Sequence, residues 1–335
     1  MTLARVRRFA LKNIMEMILI ALCVGFAIRS NTFLSLENAM AILYAVSMQG
    51  LIAFGMTMVI ISGEIDLSVG SAAAFAGCFT VALIDRGIFA PVAILLALII
   101  GILTGMLSGT MRNKYQVPTF ITTLALFTGL RGAAFLVTDG RNIITEFPKW
   151  FLFIGGGRVG GFDTVLAVPL VNKSMQISFP GIPFPAIIFI IGFLVVQFIM
   201  KNTTFGRSVY AVGGNAAAAR LCGINVSFTR LTVLAITGMF AALSGVLLSS
   251  RIESGTPTVA QGWELDAIAA VIIGGTSFTG GVGRVWGTLI GIIFIGVLSN
   301  GMTLMNVDVN IQYVTKGLLI LFAVLLNRMQ ERRTA

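Results

Sequence analysis

The chain has 335 residues, of which 57% are hydrophobic and 11% are charged, and its mean hydropathy is +0.96. Soluble domains contain roughly 45–50% apolar and about 25% charged residues, so this composition excludes a soluble domain and indicates a polytopic membrane protein. The formal net charge of +10 is spread along the chain in short groups. This excludes the continuous basic stripe of a nucleic-acid-binding protein and favours basic loops at one membrane surface.

Ten apolar segments are candidate membrane spans. A span needs about 20 apolar residues, and fewer where a helix is short or broken. With the N-terminus inside, most lysines and arginines fall on the inner side, whereas the outer side mixes the other basic residues with most of the acids. We therefore predict an all-α polytopic bundle of about ten spans, forming one transmembrane domain (residues 1–335) with both termini cytoplasmic. The segments are residues 14–28, 42–61, 67–84, 91–111, 119–137, 183–200, 229–249, 262–274, 283–300 and 310–326.

Two long connections interrupt the apolar pattern. The outer connection, about 138–182, contains too many glycines and prolines to be one span. Its aromatic residues fit either the membrane interface or a docking platform for an external partner. The inner connection, about 201–228, is polar and glycine-rich and carries several arginines. The aromatic residues of the outer connection are Phe147, Trp150, Phe151 and Phe153.

Glycines recur at helical spacing in two of the predicted spans. Gly101, Gly105 and Gly109 lie four residues apart, and so do Gly287 and Gly291. Because small residues let helix backbones approach closely in a membrane, we expect another helix to pack on each of these faces.

Two acidic motifs share a Glu-aliphatic-Asp pattern: "SGEIDLSVGS" (62–71) before the third span and "GWELDAIAAV" (262–271) before the eighth. The first lies at the predicted inner side and the second at the outer side. Since the equivalent spans of the two halves run in opposite directions, the recurrence favours an inverted internal repeat in which one element gates each side of a central pathway.

The acids of these motifs have a structural and a functional interpretation. Asp66, with Ser68, is well suited to cap a helix start, and Asp266 is placed to do the same. Glu64 and Glu264 would point elsewhere, where they pair with a cation or line water. Two intramembrane cations are possible partners, although each can also extend to the outer interface instead. These cations are Arg131 and Lys316.

The stretch "GGNAAAARLCG" (213–223) predicts a short helix with its own start and stop. Asn215 is a good N-cap, the four alanines have the highest helix propensity, and Gly223 fits a left-handed C-terminal cap. A two-turn helix is marginal in water on its own, so it needs a surface to lie against. It is either an ordinary surface helix or a contact element with a charged and apolar tip formed by Arg220 and Leu221.

Three ordered stretches carry a family resemblance: "GMTMVIISGEIDLSVGS", "TTFGRSVYAVGGNAAAARLCGINV" and "GWELDAIAAVIIGGTSFTGGVGRVWGTLIG". Together they resemble the permease subunit of the ribose-type monosaccharide ABC importers. The likeness runs from about residue 50 to 326 and is strongest in roughly the last 120 residues. It implies a multi-pass protein of the bacterial inner membrane.

The resemblance also implies partners and site residues. The helix from Asn215 to Cys222 resembles the coupling helix that lies in a cleft of a separate ATPase subunit, which would hold ATP and Mg. A second copy or a similar permease, a periplasmic sugar-binding protein and membrane lipid are the other expected partners. The coupling candidates are Gly213, Gly214, Asn215, Ala218, Arg220, Leu221 and Gly223, and the translocation or gating candidates are Glu64, Asp66, Ser68, Glu264 and Asp266.

The chain departs from the family pattern at two places. Glu64 stands where the family usually has glycine, so this carboxylate is an addition. The outer segment around 155–182 is also longer than the family pattern.

The residue content agrees with a subunit that is not an enzyme. The sequence has no histidine, no CxxC pair among Cys23, Cys78 and Cys222, and no phosphate-binding GxxxxGK[ST] pattern. We therefore expect no catalytic residue, no metal site and no cofactor in this chain. Three alternatives stay open: a permease for another small polar solute such as an amino acid, an ion- or proton-coupled secondary transporter, and a membrane-embedded enzyme.

Overall fold

The structure is a computed structural model that describes residues 14–168 and 173–334. The structure is a bundle of helices, and each of the ten predicted spans overlaps one helix. The helices in this described part are α1 Ile14–Arg29, α2 Leu36–Ile61, α3 Val69–Asp85, α4 Ala90–Lys114, α5 Thr119–Val137, α6 Lys149–Gly156, α7 Phe184–Asn202, α8 Thr204–Gly214, α9 Ala216–Leu221, α10 Val226–Ile252, α11 Trp263–Ile273, α12 Val285–Leu304 and α13 Val309–Thr334.

Six of these helices are long and apolar enough to cross a membrane: α2, α4, α5, α7, α10 and α12. Helix α3 and the apolar part of α13, Val309–Phe322, are shorter. The chain is therefore a polytopic helical membrane protein, as predicted.

The outer connection is not a single span, which confirms that part of the prediction. It contains the short helix α6 and two antiparallel pairs of strands: β1 (Arg158–Val159) with β4 (Ile182–Pro183), and β2 (Phe162–Val168) with β3 (Lys173–Phe179). Phe162 is opposite Phe179, and Val168 is opposite Lys173. The strands were not anticipated, because the prediction considered only helical spans.

Helix α6 belongs to the bundle. Phe151 is fully buried, its ring stacks on that of Phe147, and its carbonyl accepts a hydrogen bond from the hydroxyl of Ser250 on α10. Trp150 and Phe153 keep 42% of their surface exposed. One face of the aromatic segment is thus packed against α10, and the other face is open.

Two long helices, α2 and α10, form the core of the bundle. Side chains around the whole circumference of α2 are buried, for example Leu51, Ile52 and Phe54. A helix that is apolar on every side is stable only when other helices surround it. Three more of the long helices, α4, α5 and α7, lie around this centre and expose apolar side chains such as Leu103 and Leu194.

Glycines set the closest helix contacts, as predicted. A Cβ added at Gly101 would lie 2.4 Å from the carbonyl oxygen of Gly238, and one at Gly105 would lie 2.1 Å from that of Leu234, so α4 rests directly on α10. Gly287 and Gly291 of α12 approach the backbone of α11 and its C-cap in the same way. A Cβ added at either glycine would lie 2.0 Å from a carbonyl oxygen.

Several segments meet at one end of the bundle, which we call the basic end. It comprises residues 62–68, the last turn of α4, the pair α8–α9, the first turn of α10 and the loop 274–284. Contacts between these segments define it: the side chain of Asn113 donates to the carbonyl of Ser227, and Gly281 N donates to the carbonyl of Ile61.

Replacing Gly105 by alanine should destabilise the bundle. The new methyl group meets helix backbone rather than a movable side chain, and overpacking of this kind costs about 1–3 kcal/mol. We expect a lower midpoint of thermal unfolding for the purified protein in detergent. Gly25→Ala is the matched control, since a Cβ at Gly25 meets nothing within 4 Å. Equal midpoints for the two variants would contradict the packing described here.

Candidate functional site

The short helix α9 forms as the sequence predicts. The side-chain oxygen of Asn215 accepts hydrogen bonds from the backbone N–H groups of Ala217 and Ala218, both at 3.0 Å. Gly223 has φ +82°, the left-handed conformation that ends many helices. The N-cap and C-terminal predictions are confirmed, and the helix itself covers Ala216–Leu221.

Helix α9 has one anchored face and one open face. Ala219 is buried against Val212 and Val226. On the opposite side Arg220 is exposed and Leu221 is 91% exposed. The helix therefore presents a cation and a large apolar side chain away from the bundle, and the thiol of Cys222 is exposed beside them.

A backbone joint connects α8–α9 to the membrane helices. A Cβ at Gly213 would lie 1.7 Å from the carbonyl oxygen of Ile61 and 2.6 Å from the nitrogen of Gly281. Gly281 in turn donates its N–H to the same carbonyl of Ile61 at 2.8 Å. The end of α8 thus rests on the end of α2 and on the loop between α11 and α12, with no side chain between them.

Sequence reasoning selected Gly213 and Gly214 for this region but missed their counterparts. Gly63 and Gly280 also lie in the joint, with φ +80° and +87°. The signal was present, because paired glycines at 213–214 and at 280–281 mark two places where backbone approaches backbone.

Tyr210 adds a second link between α8 and the same loop. Its hydroxyl donates a 3.0 Å hydrogen bond to the carbonyl of Gly283. Burial raises the pKa of this phenol, so it stays a neutral donor at physiological pH.

Glu64 is the centre of a charged cluster at the basic end. One carboxylate oxygen lies 2.9 Å from Nε of Arg112 and 2.8 Å from Nε of Arg230, and the other accepts a 2.7 Å hydrogen bond from Thr119. The carboxylate is 5% exposed. A single buried acid therefore joins the ends of α4, α5 and α10. Pairing with a cation was predicted, but the partners are these two arginines and not the intramembrane cations.

Asp66 organises the entry to α3 without capping its N–H groups. Its carboxylate accepts hydrogen bonds from the backbone N–H and the hydroxyl of Ser68, at 2.8 and 2.6 Å. Ser68 precedes the helix and forms no side-chain cap bond itself. The predicted cap is thus wrong in detail, because the Asp66 carboxylate is occupied by the turn immediately before the helix.

Asp266 is an ion-pair partner and not a helix cap. Its carboxylate lies 2.9 Å from the ammonium group of Lys316 on α13. The cap position before α11 is held by Gly262 in a left-handed conformation, with φ +77° and no side-chain cap bond. The prediction of a cap was wrong here, and Lys316, which was a candidate partner for the glutamates, pairs with this aspartate instead.

Glu264 and Arg131 have polar atoms without partners. Oε2 of Glu264 and Nη2 of Arg131 are buried and accept or donate no hydrogen bond in the described part of the chain. Nη1 of Arg131 donates to the carbonyls of Pro257 and Val259, both at 2.7 Å. Arg131 therefore binds the segment that leads into α11 through Nη1, and its Nη2 has no hydrogen-bond partner among the described residues.

The first turns of α3 and α11 meet inside the bundle. A Cβ at Gly70 would lie 2.2 Å from Oε2 of Glu264 and 2.7 Å from the carbonyl oxygen of Ala260. The two motifs were expected on opposite faces. They come together because each helix is preceded by a segment without regular helix, namely residues 64–68 and the residues before Gly262. These segments enter the bundle from its two ends, and both helices therefore start in the interior.

Within residues 14–168 and 173–334 no group of three His, Cys, Asp or Glu side chains is arranged to hold a metal ion. The arrangement thus offers a mechanical joint, two charge-based links between helices and a close approach of two helix starts beside an unpaired carboxylate oxygen.

Comparison with known proteins identifies the class of molecule. Residues 38–324 match the family described as branched-chain amino acid transport system / permease component. The chain is 41% identical to the ribose import permease protein RbsC of Bacillus subtilis over 313 residues, which is 93% of this chain and 91% of that one. No solved structure matches the chain significantly.

Two further relatives cover almost the whole chain. The ribose import permease protein RbsC of Haemophilus influenzae is 40% identical over 96% of this chain and 94% of its own length. The xylose transport system permease protein XylH of the same organism is 34% identical over 97% of this chain and all of its own. The chain therefore belongs to the branched-chain amino acid transport system / permease component family and is a permease component of a membrane import system.

Proposed function

We propose that the chain is the transmembrane subunit of an ATP-driven ABC importer and forms the pathway for a ribose-like monosaccharide delivered by a periplasmic binding protein. The similarity to ribose and xylose permeases along more than nine tenths of the chain supports the choice of a sugar over an amino acid. ATP and Mg belong to a separate ATPase subunit, and a second copy of this permease or a similar one completes the pathway.

The proposed topology has ten crossings with both termini in the cytoplasm. Ten helices at the predicted positions support the count, including short ones that start inside the bundle. The basic end collects the arginines and lysines of the predicted inner loops, with Glu64 and Asp66 as the acids among its described residues. By the positive-inside rule this end faces the cytoplasm of a bacterial inner membrane.

An inverted repeat relates the helices α2–α5 to α10–α13. In each set a long central helix is followed by a helix that starts inside the bundle. The second long helix of each set, α4 or α12, packs against the central helix of the other set, and the fourth, α5 or α13, packs against the interrupted helix of its own set. Such repeats place a transport site where the interrupted helices meet.

The backbone joint at Gly213 is the observation that carries the coupling mechanism. Helix α9 exposes Arg220 and Leu221 towards the ATPase subunit. The other coupling candidates set the start, body and end of this helix: Gly214, Asn215, Ala218 and Gly223. Displacement of α9 reaches the end of α2 and the loop before α12 through backbone contacts. Movement of rigid elements about such joints is how conformational change passes between subunits.

The pathway itself is proposed to pass the meeting point of α3 and α11. Oε2 of Glu264 and Nη2 of Arg131 have unused hydrogen-bonding capacity there, and an unsatisfied buried group costs about 1–3 kcal/mol. Sugar hydroxyls donate to carboxylates and accept from guanidinium groups, so a passing sugar would satisfy both atoms.

Gly213→Ala tests coupling. The added methyl requires α8 to move away from α2, and a loss of about 1.4 kcal/mol in coupling lowers the rate about tenfold. We expect that fall in uptake of radiolabelled ribose by vesicles containing the ATPase subunit, while the complex still assembles. Gly25→Ala is the matched control, because a Cβ there meets nothing within 4 Å and the residue lies outside the joint.

Two outcomes would refute the proposal. Equal uptake by the two glycine variants would exclude the joint from the coupling path. Sugar accumulation driven by a proton gradient in vesicles lacking the ATPase would establish a secondary transporter. Crosslinking of the exposed native Cys222 to the ATPase locates the contact independently, with Cys222→Ser as the negative control.

Glu64→Gln should destabilise the protein by leaving Arg112 and Arg230 together without a counter-charge. Because both arginines are partly exposed, solvent screening reduces the effect, and a coupling energy of about 0.5–3 kcal/mol is expected from a double-mutant cycle with Arg230→Gln. Thermal unfolding of the four proteins of the cycle measures it. Additive effects would show that Glu64 does not bind Arg230.

Glu264→Gln and Arg131→Gln test the pathway. Glu264→Gln keeps the side-chain bulk and removes the charge, and Arg131→Gln removes the guanidinium group and shortens the side chain. We therefore expect a changed KM for sugar, or a changed preference between ribose and xylose, at normal expression. Thr80→Val is a structural control, since the Thr80 hydroxyl is buried and bonded only to its own helix. Unaltered kinetics in both glutamine variants would remove these residues from the pathway.

A further inference from the structure

A cavity of about 490 Å³ lies at the basic end, where α7, α8 and the start of α12 meet. Its polar lining comes from three cations and three side chains with hydrogen-bonding groups. No acid contributes to this lining. The residues are Lys201, Arg207, Arg284, Gln197, Tyr210 and Trp286.

The three cations of this cavity have no acidic partner among the described residues. Lys201, Arg207 and Arg284 are exposed, and within the described part of the chain none has a carboxylate within 4.0 Å. This contrasts with Arg112 and Arg230, which share Glu64. Three like charges around one space repel each other, and an anion placed among them removes that repulsion.

The cavity borders an exposed apolar surface on α7. Helix α7 exposes Leu194, Val195 and Phe198 along its outer side, each at least 46% exposed. Trp286 is 51% exposed, and its ring contacts Phe193 of α7 with centroids 5.8 Å apart. Tryptophan commonly lies at the membrane interface, and this favours headgroup depth for a cavity whose edge continues into the exposed apolar side of α7.

The arrangement on α7 suits an amphiphile. Gln197 and Lys201 are one turn apart and share a helix face. Leu194 and Val195 lie on the turn before Gln197, and Phe198 lies between Gln197 and Lys201. A ligand with a negatively charged head in the cavity would lay its apolar tail along α7. A small inorganic anion would use only the head part of this surface.

We propose that this cavity binds the phosphate group of an anionic phospholipid of the inner leaflet. The phosphate oxygens accept hydrogen bonds from Lys201, Arg207 and Arg284, and the acyl chains contact α7. Basic pockets between helices on the cytoplasmic side are a recognised setting for such headgroups. The inference rests on the proposed orientation of the basic end but not on the transported solute.

Bound lipid would also restrain α8, the helix that connects the membrane helices to α9. Arg207 and Tyr210 lie on α8, the helix whose last turn carries Gly213. A phosphate bridging α8 to α7 and α12 restrains the element that α9 must move. We therefore expect anionic lipid to stabilise the position of α8 as well as the fold.

The test measures lipid binding by the full-length protein. The triple variant K201Q/R207Q/R284Q is compared with wild type and with R29Q/R86Q/R141Q, which removes three exposed charges from the opposite end. Native mass spectrometry and thermal unfolding are recorded with phosphatidylglycerol, with phosphatidylcholine and with inorganic phosphate alone. We expect phosphatidylglycerol occupancy to fall at least about tenfold in the first variant and to persist in the second.

Each other outcome overturns the proposal. Equal loss in both triple variants means bulk electrostatic attraction only, and retention of binding in the cavity variant means that the lipid sits elsewhere. Stabilisation by inorganic phosphate equal to that by phosphatidylglycerol assigns the cavity to a free anion. If the triple variant does not fold, K201Q/R284Q, which leaves α8 unchanged, is measured in its place.

Discussion

Backbone rests directly on backbone where Gly213 meets the carbonyl of Ile61, and the position of the surface helix α9 depends on that contact. Side chains between two helices would absorb a small displacement by changing rotamer, whereas a close-packed backbone contact passes it on. The two glycine pairs facing each other at the joint are therefore what makes α8, α2 and the loop before α12 one mechanical unit. The hydrogen bond from Tyr210 to Gly283 strengthens the same connection at a second point.

Paired charges divide the remaining helices into groups. Glu64 ties the α2–α3 connection to α4, α5 and α10, and Asp266 ties α11 to α13. Buried ion pairs add little to net stability because desolvation opposes the attraction between the charges, but removing one partner is costly. Their effect is to specify which elements stay together. In a permease whose helices must move, that specification decides which surfaces slide and which remain fixed.

Local chemistry explains what the sequence could predict. The cap of α9 by Asn215, its end at Gly223 and the close contacts of Gly101 and Gly105 all depend on residues near in the chain or on the absence of a side chain. Partners of the buried acids could not be predicted, since they come from distant segments. Asp266 illustrates the conflict: the rule for helix starts favoured a cap, but Gly262 took that position and Lys316 arrived from α13. The strands of the outer connection were missed because the hydropathy pattern reports membrane spans and not surface structure.

The two glutamates of the repeated motif are in opposite situations. Glu64 accepts hydrogen bonds from Arg112 and Thr119 and forms an ion pair with Arg230, whereas Oε2 of Glu264 has no partner and lies beside the first turn of α3. An uncompensated carboxylate in an apolar surrounding is costly, so this arrangement favours any change that brings a donor to Glu264. Arg131, with one free nitrogen, is coupled electrostatically to it. Glu64 therefore fixes the ends of α4, α5 and α10 to one another, whereas the unpaired oxygen of Glu264 provides no comparable link where α3 and α11 meet.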